Sequence, residues 1–186
     1  MGGYKIMIKG KKVYLSAIEK EDLQQLMNWR NRSDFRKYFR EYKEINSIMQ
    51  EKWFQNKVLN DNSTIMFAIK KVENDELIGC CGLCYINWVH GNADLSLYIG
   101  WNNEYIDDKG YSEESCKLLF NYGFFELRLN KIWTEIYEFD YKKKKLYEKL
   151  GFSIDGVLRE SYFYEGRFLN SYILSLLSRE FKQYLD

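Results

Sequence analysis

The chain shows strand-period and helix-period hydrophobic patterns in a clear order. Tyr4 to Ile8 and Val13 to Ala17 alternate over short runs split by Lys9-Gly10-Lys11-Lys12, the mark of a hairpin or a broken first strand. Glu19-Lys20-Glu21-Asp22 is an acidic helix start, followed by Leu23, Leu26, Met27 and Arg30 on one helical face. Trp29 to Ser33 interrupts that face, and Asp34 to Glu44 is aromatic and charged without a clear period. Ser47 is placed to cap a helix through Leu59, with Ile48, Trp53, Phe54, Val58 and Leu59 as its buried positions. Three strands are predicted next: Thr64–Lys71, Leu77–Asn87 and Asn92–Gly100. Gly79 and Gly82 in the second of them mark bulges or close backbone approach. A helix from about Tyr111 to Glu126 carries the stripe Cys116, Leu119, Phe120, Gly123 and Phe124. Lys131–Tyr137 reads as a strand and Asp140–Leu150 as a helix; Ser153–Tyr164 and Arg167–Leu177 form a hairpin over Glu165-Gly166. Residues 181–186 are expected as a loose tail or short helix. The order implies an α+β (three-layer α/β) fold, with a mixed, mostly antiparallel sheet of about seven strands and helices on both faces.

Composition narrows the classes. At 186 residues the chain suits one domain spanning 1–186. The +1 net charge gives no global field toward nucleic acid or anionic lipid. No run is long and apolar enough to span a membrane, and Met1 to Lys12 has no secretory pattern, so a reducing cytoplasm is expected. Cys81 and Cys84 form a C-x-x-C, yet His90 is the sole histidine and no second C-x-x-C exists. Structural cysteines in a buried strand, with no metal, are therefore expected.

Two stretches can carry chemistry. Asp107-Asp108-Lys109-Gly110-Tyr111-Ser112 is a turn into a helix. Helix N-termini hold free backbone N–H groups and the positive dipole end, so they suit phosphate, and Gly110 permits close approach. Tyr147 lies two turns into the helix begun by Asp140. A phenol has an ordinary pKa of about 10, so at neutral pH it can act only as an acid.

Taken together, these stretches give a resemblance. DDKGYSEES resembles the pyrophosphate loop, Gln/Arg-x-x-Gly-x-Gly/Ala, of the GNAT superfamily of acyl-CoA-dependent N-acetyltransferases. DYKKKKLYEKLGF resembles that family's later motif, an Asn followed by a Tyr and ending in Gly-Phe. The tail, with Gly156 to Arg159 and Glu165-Gly166-Arg167, is similar to the branch holding ribosomal-protein N-terminal and spermidine acetyltransferases. Three positions depart: Asp107 replaces Gln/Arg, Ser112 replaces Gly/Ala, and Asp140 replaces Asn.

The resemblance implies splayed central strands and acetyl-CoA as cosubstrate. Leu97, Tyr98 and Ile99 would pair with pantetheine through their backbone. Gly110, Tyr111 and Ser112 would offer donors to pyrophosphate, with Lys109 offsetting the acidic pair; Asp140 would accept from a pantetheine amide, and Lys145 would reach a phosphate. Tyr147 would protonate the leaving thiolate. Asp94 is the first expectation for a base and His90 the second. The acceptor side would come from Arg30, Tyr38, Glu41 and Tyr162. Arg30, Arg32, Arg36 and Arg40 argue against a polycation and for an amine bearing phosphate or carboxylate, such as an amino sugar nucleotide. Another small-molecule amine or a protein N-terminus stays open, as does a homodimer. A non-catalytic acyl-CoA-binding or interaction module with the same fold is the alternative; thiol release across an amine panel separates the two.

Overall fold

The computed structural model describes residues 8–183. Of the first predicted strand run only Ile8 falls within them, and residues 184–186 of the tail lie outside. Among the described residues eight strands form one sheet: β1 (Ile8–Lys9), β2 (Val13–Ala17), β3 (Ile65–Lys71), β4 (Leu77–Asn87), β5 (Asn92–Ile99), β6 (Lys131–Tyr137), β7 (Ser153–Tyr164) and β8 (Arg167–Leu177). Their spatial order is β1-β2-β3-β4-β5-β6-β8-β7, antiparallel except for β5 with β6. The strand beyond the seven expected is the two-residue β1, which turns at Gly10 to pair with β2.

The helices are α1 (Leu23–Arg30), α2 (Ser33–Arg36), α3 (Ser47–Trp53), α4 (Tyr111–Asn121) and α5 (Tyr141–Lys149). They cover both faces of the sheet. Trp29 of α1 meets Tyr98 of β5 edge-on at 6.5 Å between ring centroids. On the other face Gly123, just past α4, lies against Leu83 and Ile132, and Leu83 sits opposite Leu95 across the β4–β5 pair. All five predicted stripe residues of α4 are buried. Both faces of β5 are covered, so its polar-looking positions Asp94 and Tyr98 are buried along with Leu95 and Leu97. The close approach expected at Gly79 and Gly82 is present: a Cβ at either would collide with a carbonyl oxygen of the next strand, Tyr98 O or Ile65 O.

Three expectations need correction. The cap of α3 is Asn46, one residue before Ser47, its side chain accepting from Met49 N at 2.9 Å. Ile48 and Leu59 are exposed, whereas Phe54 is buried as expected and Gln50 is buried as well; from Phe54 to Leu59 the helix widens to π-type turns. The described part of the tail is not loose, since Phe181 packs edge-on against Phe120 at 5.7 Å. Among the described residues no helix is long and apolar enough to cross a membrane.

Candidate active site

The site begins where two strands part. β5 and β6 run parallel and pair at Asn92–Lys131, Ala93–Ile132 and Asp94–Trp133, and no further. At the fork the Thr134 hydroxyl donates to Leu95 O at 3.3 Å. β6 continues along β8 to Tyr137, whereas β5 follows β4 to Ile99. The far end of β5 is held by the chain itself, with Ile99 N donating to Tyr105 O at 2.9 Å. Strand alternation sends the backbone groups of residues 95, 97 and 99 to the same side. Leu97 therefore presents its N–H and C=O to the open fork, and Tyr98 turns its own toward β4. Of the three backbone contacts expected along β5, Leu97 is the position with free groups facing the gap.

The fork opens into a cavity of about 420 Å³. Arg30, Tyr38, Arg40, Glu41, Asp94, Glu135 and Lys143 are among the residues that line it. Tyr38 is fixed by stacking on Tyr105 at 4.1 Å. Arg30 lies over the Phe39 ring at 4.7 Å, and its Nε is buried without a hydrogen-bond partner. Arg40 Nη1 donates to Asp94 Oδ2 at 2.6 Å, and its Nε lies 3.6 Å from Glu135 Oε2. Burial pushes the Asp94 carboxyl up, and the Arg40 guanidinium opposes it. Asp94 Oδ1 has no partner. Asp94 is thus on the cavity wall, but one oxygen is committed to a cation. Glu135 and Lys143 were not among the expected site residues, and Arg40 was named only as one of the four arginines of the acceptor side. No motif marks them, and their convergence comes from the loop after α2, β6 and α5 meeting in space.

His90 is exposed in the turn between β4 and β5 and is not part of the cavity wall. Tyr162 is also off the wall; its hydroxyl donates to Lys37 O at 2.9 Å and its ring stacks on Tyr137 at 3.8 Å, tying the last hairpin to the cavity rim. Tyr147 is fully buried behind the wall, with its hydroxyl unpartnered and its ring 5.2 Å from Phe152. Asp140 caps α5 as expected, accepting from Lys143 N at 3.1 Å. Burial raises the Asp140 carboxyl, and Lys143 counters that.

At the start of α4, Gly110 adopts a left-handed φ of +88°, a conformation that favours glycine. The backbone N–H groups of Tyr111 and Ser112 already have an acceptor within the chain. They donate to Asp107 Oδ2 and Oδ1 at 2.9 and 2.7 Å. The departure from Gln/Arg at this position therefore gives the turn its own carboxylate cap. Lys12, from the β1–β2 turn, donates to Lys109 O at 2.7 Å and places a second cation at this helix end. Lys109 and Asp108 are exposed and 3.8 Å apart, and Lys145 is exposed.

Comparison with known proteins settles the lineage. The family model described as an acetyltransferase (GNAT) domain matches residues 12–153. The chain belongs to the GNAT acetyltransferase family. A spermidine N(1)-acetyltransferase of Vibrio cholerae is 30% identical over 83% of this chain and 86% of its own length. The crystal structure of the V. cholerae spermidine N-acetyltransferase in complex with CoA and spermine superposes with a TM-score of 0.82 at 26% identity, covering 90% of this chain and 96% of that one. A dodecameric structure of the V. cholerae enzyme superposes at 0.74, with 26% identity over 89% of this chain and 94% of that one. This GNAT protein is an acetyl-CoA-dependent N-acetyltransferase, as its motifs implied. The forked strands and free Leu97 backbone fit an extended pantetheine arm, which needs a strand edge to pair with.

Proposed function

We propose that the protein acetylates the primary amine of a small molecule that also carries a carboxylate or phosphate. The observation that carries this reading is the charge of the cavity wall. Arg30 and Arg40 bring guanidinium groups to the wall beside Glu41, Asp94 and Glu135, and two of those carboxylates already share Arg40. A polycation would meet two guanidinium groups and carboxylates largely engaged by one of them, whereas an anionic group would find guanidinium donors.

Acetyl-CoA supplies an activated acetyl group. The chain's part is to hold it, orient it and manage protons. Leu97 N–H lies where it can donate to the thioester carbonyl oxygen, an oxyanion-hole role. The N-terminus of α4, with Gly110, Tyr111 and Ser112, faces the pyrophosphate; Lys12 and Lys109 add charge there. Lys145 reaches a phosphate from α5, and Asp140 accepts from a pantetheine amide. The buried Tyr147 hydroxyl, lacking any partner of its own, supplies the proton to the leaving sulfur. Tyr38, Glu41 and Arg30 shape the acceptor end.

A polyamine is the second reading. The names of the spermidine acetyltransferase relatives favour it, and Glu41 could hold an ammonium. Thiol release with spermidine and spermine, an amino acid panel, phosphorylated amino sugars and a peptide with a free N-terminus decides the matter. The first reading requires anionic amines to give the highest kcat/KM; preference for spermidine would replace it with the second.

Self-association is also proposed. β7 is a 12-residue edge strand with Ile154, Val157, Leu158 and Phe163 exposed. A long apolar edge is a template for pairing, and a related enzyme forms a dodecamer. Light scattering after size exclusion should give an oligomer, and Val157→Lys should shift it toward monomer; a monomeric wild type would refute this. The buried free thiols Cys80, Cys81 and Cys116 suit the cytoplasm proposed as its location.

A further inference from the structure

The cavity leaves the proton acceptor for the incoming ammonium unassigned. Asp94 has one oxygen committed to Arg40 at 2.6 Å, and His90 is exposed and off the wall. Lys57, Glu135 and Lys143 of the wall also have no part in the mechanism above, and Lys143 is the buried one of the three. Lys143 projects from the first turn of α5 and is buried, yet it lines the cavity between β5 and β6 together with Leu95, Leu97 and Thr134.

We infer that Lys143, as its neutral amine, is the base that accepts the proton of the acceptor ammonium. This rests on the site reading above and adds the acceptor half of the proton traffic to it. The groups facing Lys143 are Asp140 at the cap of its own helix, Asp94 on β5, Cys116 on α4 and Arg40 from the loop after α2. The Tyr105 ring lies 5.0 Å from its Nζ. Burial pulls the ammonium below its ordinary range, while Asp140 and Asp94 hold against that pull and Arg40 adds to it. Burial makes the ammonium a stronger acid than that of a solvated lysine, so the neutral amine is more readily reached at this wall. The two carboxylates stabilise the cation that forms once the proton arrives.

The protons balance. The acceptor ammonium gives one proton to Lys143 Nζ, which frees its lone pair. That nitrogen then bonds to the acetyl carbon as the C–S bond breaks. The nitrogen loses its second proton as the amide forms, and that proton restores the Tyr147 phenol, which has given its own to sulfur. Lys143 releases its own proton to solvent, so each turnover liberates one proton.

Three variants test the assignment: Lys143→Arg, Lys143→Ala and Tyr147→Phe. Arginine keeps the charge and most of the bulk but cannot deprotonate. Lys143→Arg should lower kcat/KM by about 10²-fold or more and remove the acidic limb of its pH profile. Its calorimetric affinity for CoA should stay within about twofold, which separates loss of a base from loss of the CoA site. Lys143→Ala should be restored by trimethylamine, a base that cannot itself be acetylated to a stable amide, in proportion to its free-base concentration. Near-wild-type activity of Lys143→Arg with an unchanged acidic limb overturns the assignment. So does a Lys143→Ala enzyme that binds CoA normally yet gains nothing from trimethylamine. Full activity of Tyr147→Phe would instead overturn the thiolate-acid reading and leave the Lys143 result standing.

Discussion

Asp107→Ala should move stability and cofactor affinity in opposite directions. In the folded chain both Asp107 oxygens accept backbone N–H groups at the start of α4, at 2.9 and 2.7 Å. A side-chain cap of this kind is worth about 1 kcal/mol, and a carboxylate at the positive helix end adds about 0.3–1 kcal/mol. Asp107 is partly exposed, so the lower half of that range applies, giving a loss of about 1–1.5 kcal/mol. For a chain of this length that lowers Tm by roughly 2–6 °C. The same two N–H groups are the ones offered to pyrophosphate in the proposed site. In the wild type a phosphate must first displace the carboxylate and endure its charge. Removing Asp107 removes that competition, so CoA should bind about 5–12-fold more tightly, the capping energy converted at 1.4 kcal/mol per tenfold. Pantetheine, which lacks the pyrophosphate, should bind both proteins equally. Thermal melts and calorimetry with the two ligands provide the measurements. CoA affinity that falls, or stays unchanged while Tm drops, would refute the placement of pyrophosphate at Tyr111 and Ser112.

Two other perturbations probe the scaffold around that site. Glu114 on α4 accepts the backbone N–H groups of Lys11, Lys12 and Val13 at 3.1, 2.8 and 2.9 Å, so Glu114→Ala should cost about 2–3 kcal/mol in urea unfolding and loosen the turn that delivers Lys12. A cost under about 0.5 kcal/mol would show that this anchor is dispensable. Glu113 pairs within α4 with Lys117 at 2.8 Å and joins α4 to α5 through Lys149 at 2.5 Å, and the bond from Lys117, then that from Lys149, holds its carboxyl below the usual range. A lowered carboxylate contributes stability above its unfolded pKa and loses it as pH falls through the folded value. Glu113→Gln should therefore cost about 0.5–1 kcal/mol at pH 7 and nothing once the pH is below that folded value. A gap that persists unchanged at low pH would contradict the ion-pair origin.

Much of the fold was legible because its signals are local. The strand periods of β3 to β8, the buried stripe of α4 and the Asp140 cap each depend on neighbouring residues. The turn at Glu165-Gly166 takes positive φ at both positions, 49° and 80°, as a two-residue hairpin requires. The errors arose where tertiary packing overrode local pattern. Trp29 reads as part of a polar break, yet its ring is buried against Tyr98. Ile48 is apolar and still faces water, while Gln50 two residues on is buried. The site divides in the same way. Gly110 and Tyr147 sit in contiguous motifs and could be found by spacing. Arg40, Glu135 and Lys143 come together only because β5 and β6 part, and no residue in either strand announces that fork. Asp107 was visible as a departure, but its bonds to Tyr111 and Ser112 depend on how the turn closes.

The most direct test of the account is Tyr147→Phe, measured for both turnover and stability. The Tyr147 hydroxyl is buried without a close hydrogen-bond partner, so its removal strands no other polar group. Tm should stay level or rise. Thiol release from acetyl-CoA with the best acceptor should fall by about 10²-fold or more, with CoA affinity preserved. A variant that keeps wild-type turnover would contradict the assignment of this hydroxyl as the acid at the leaving sulfur.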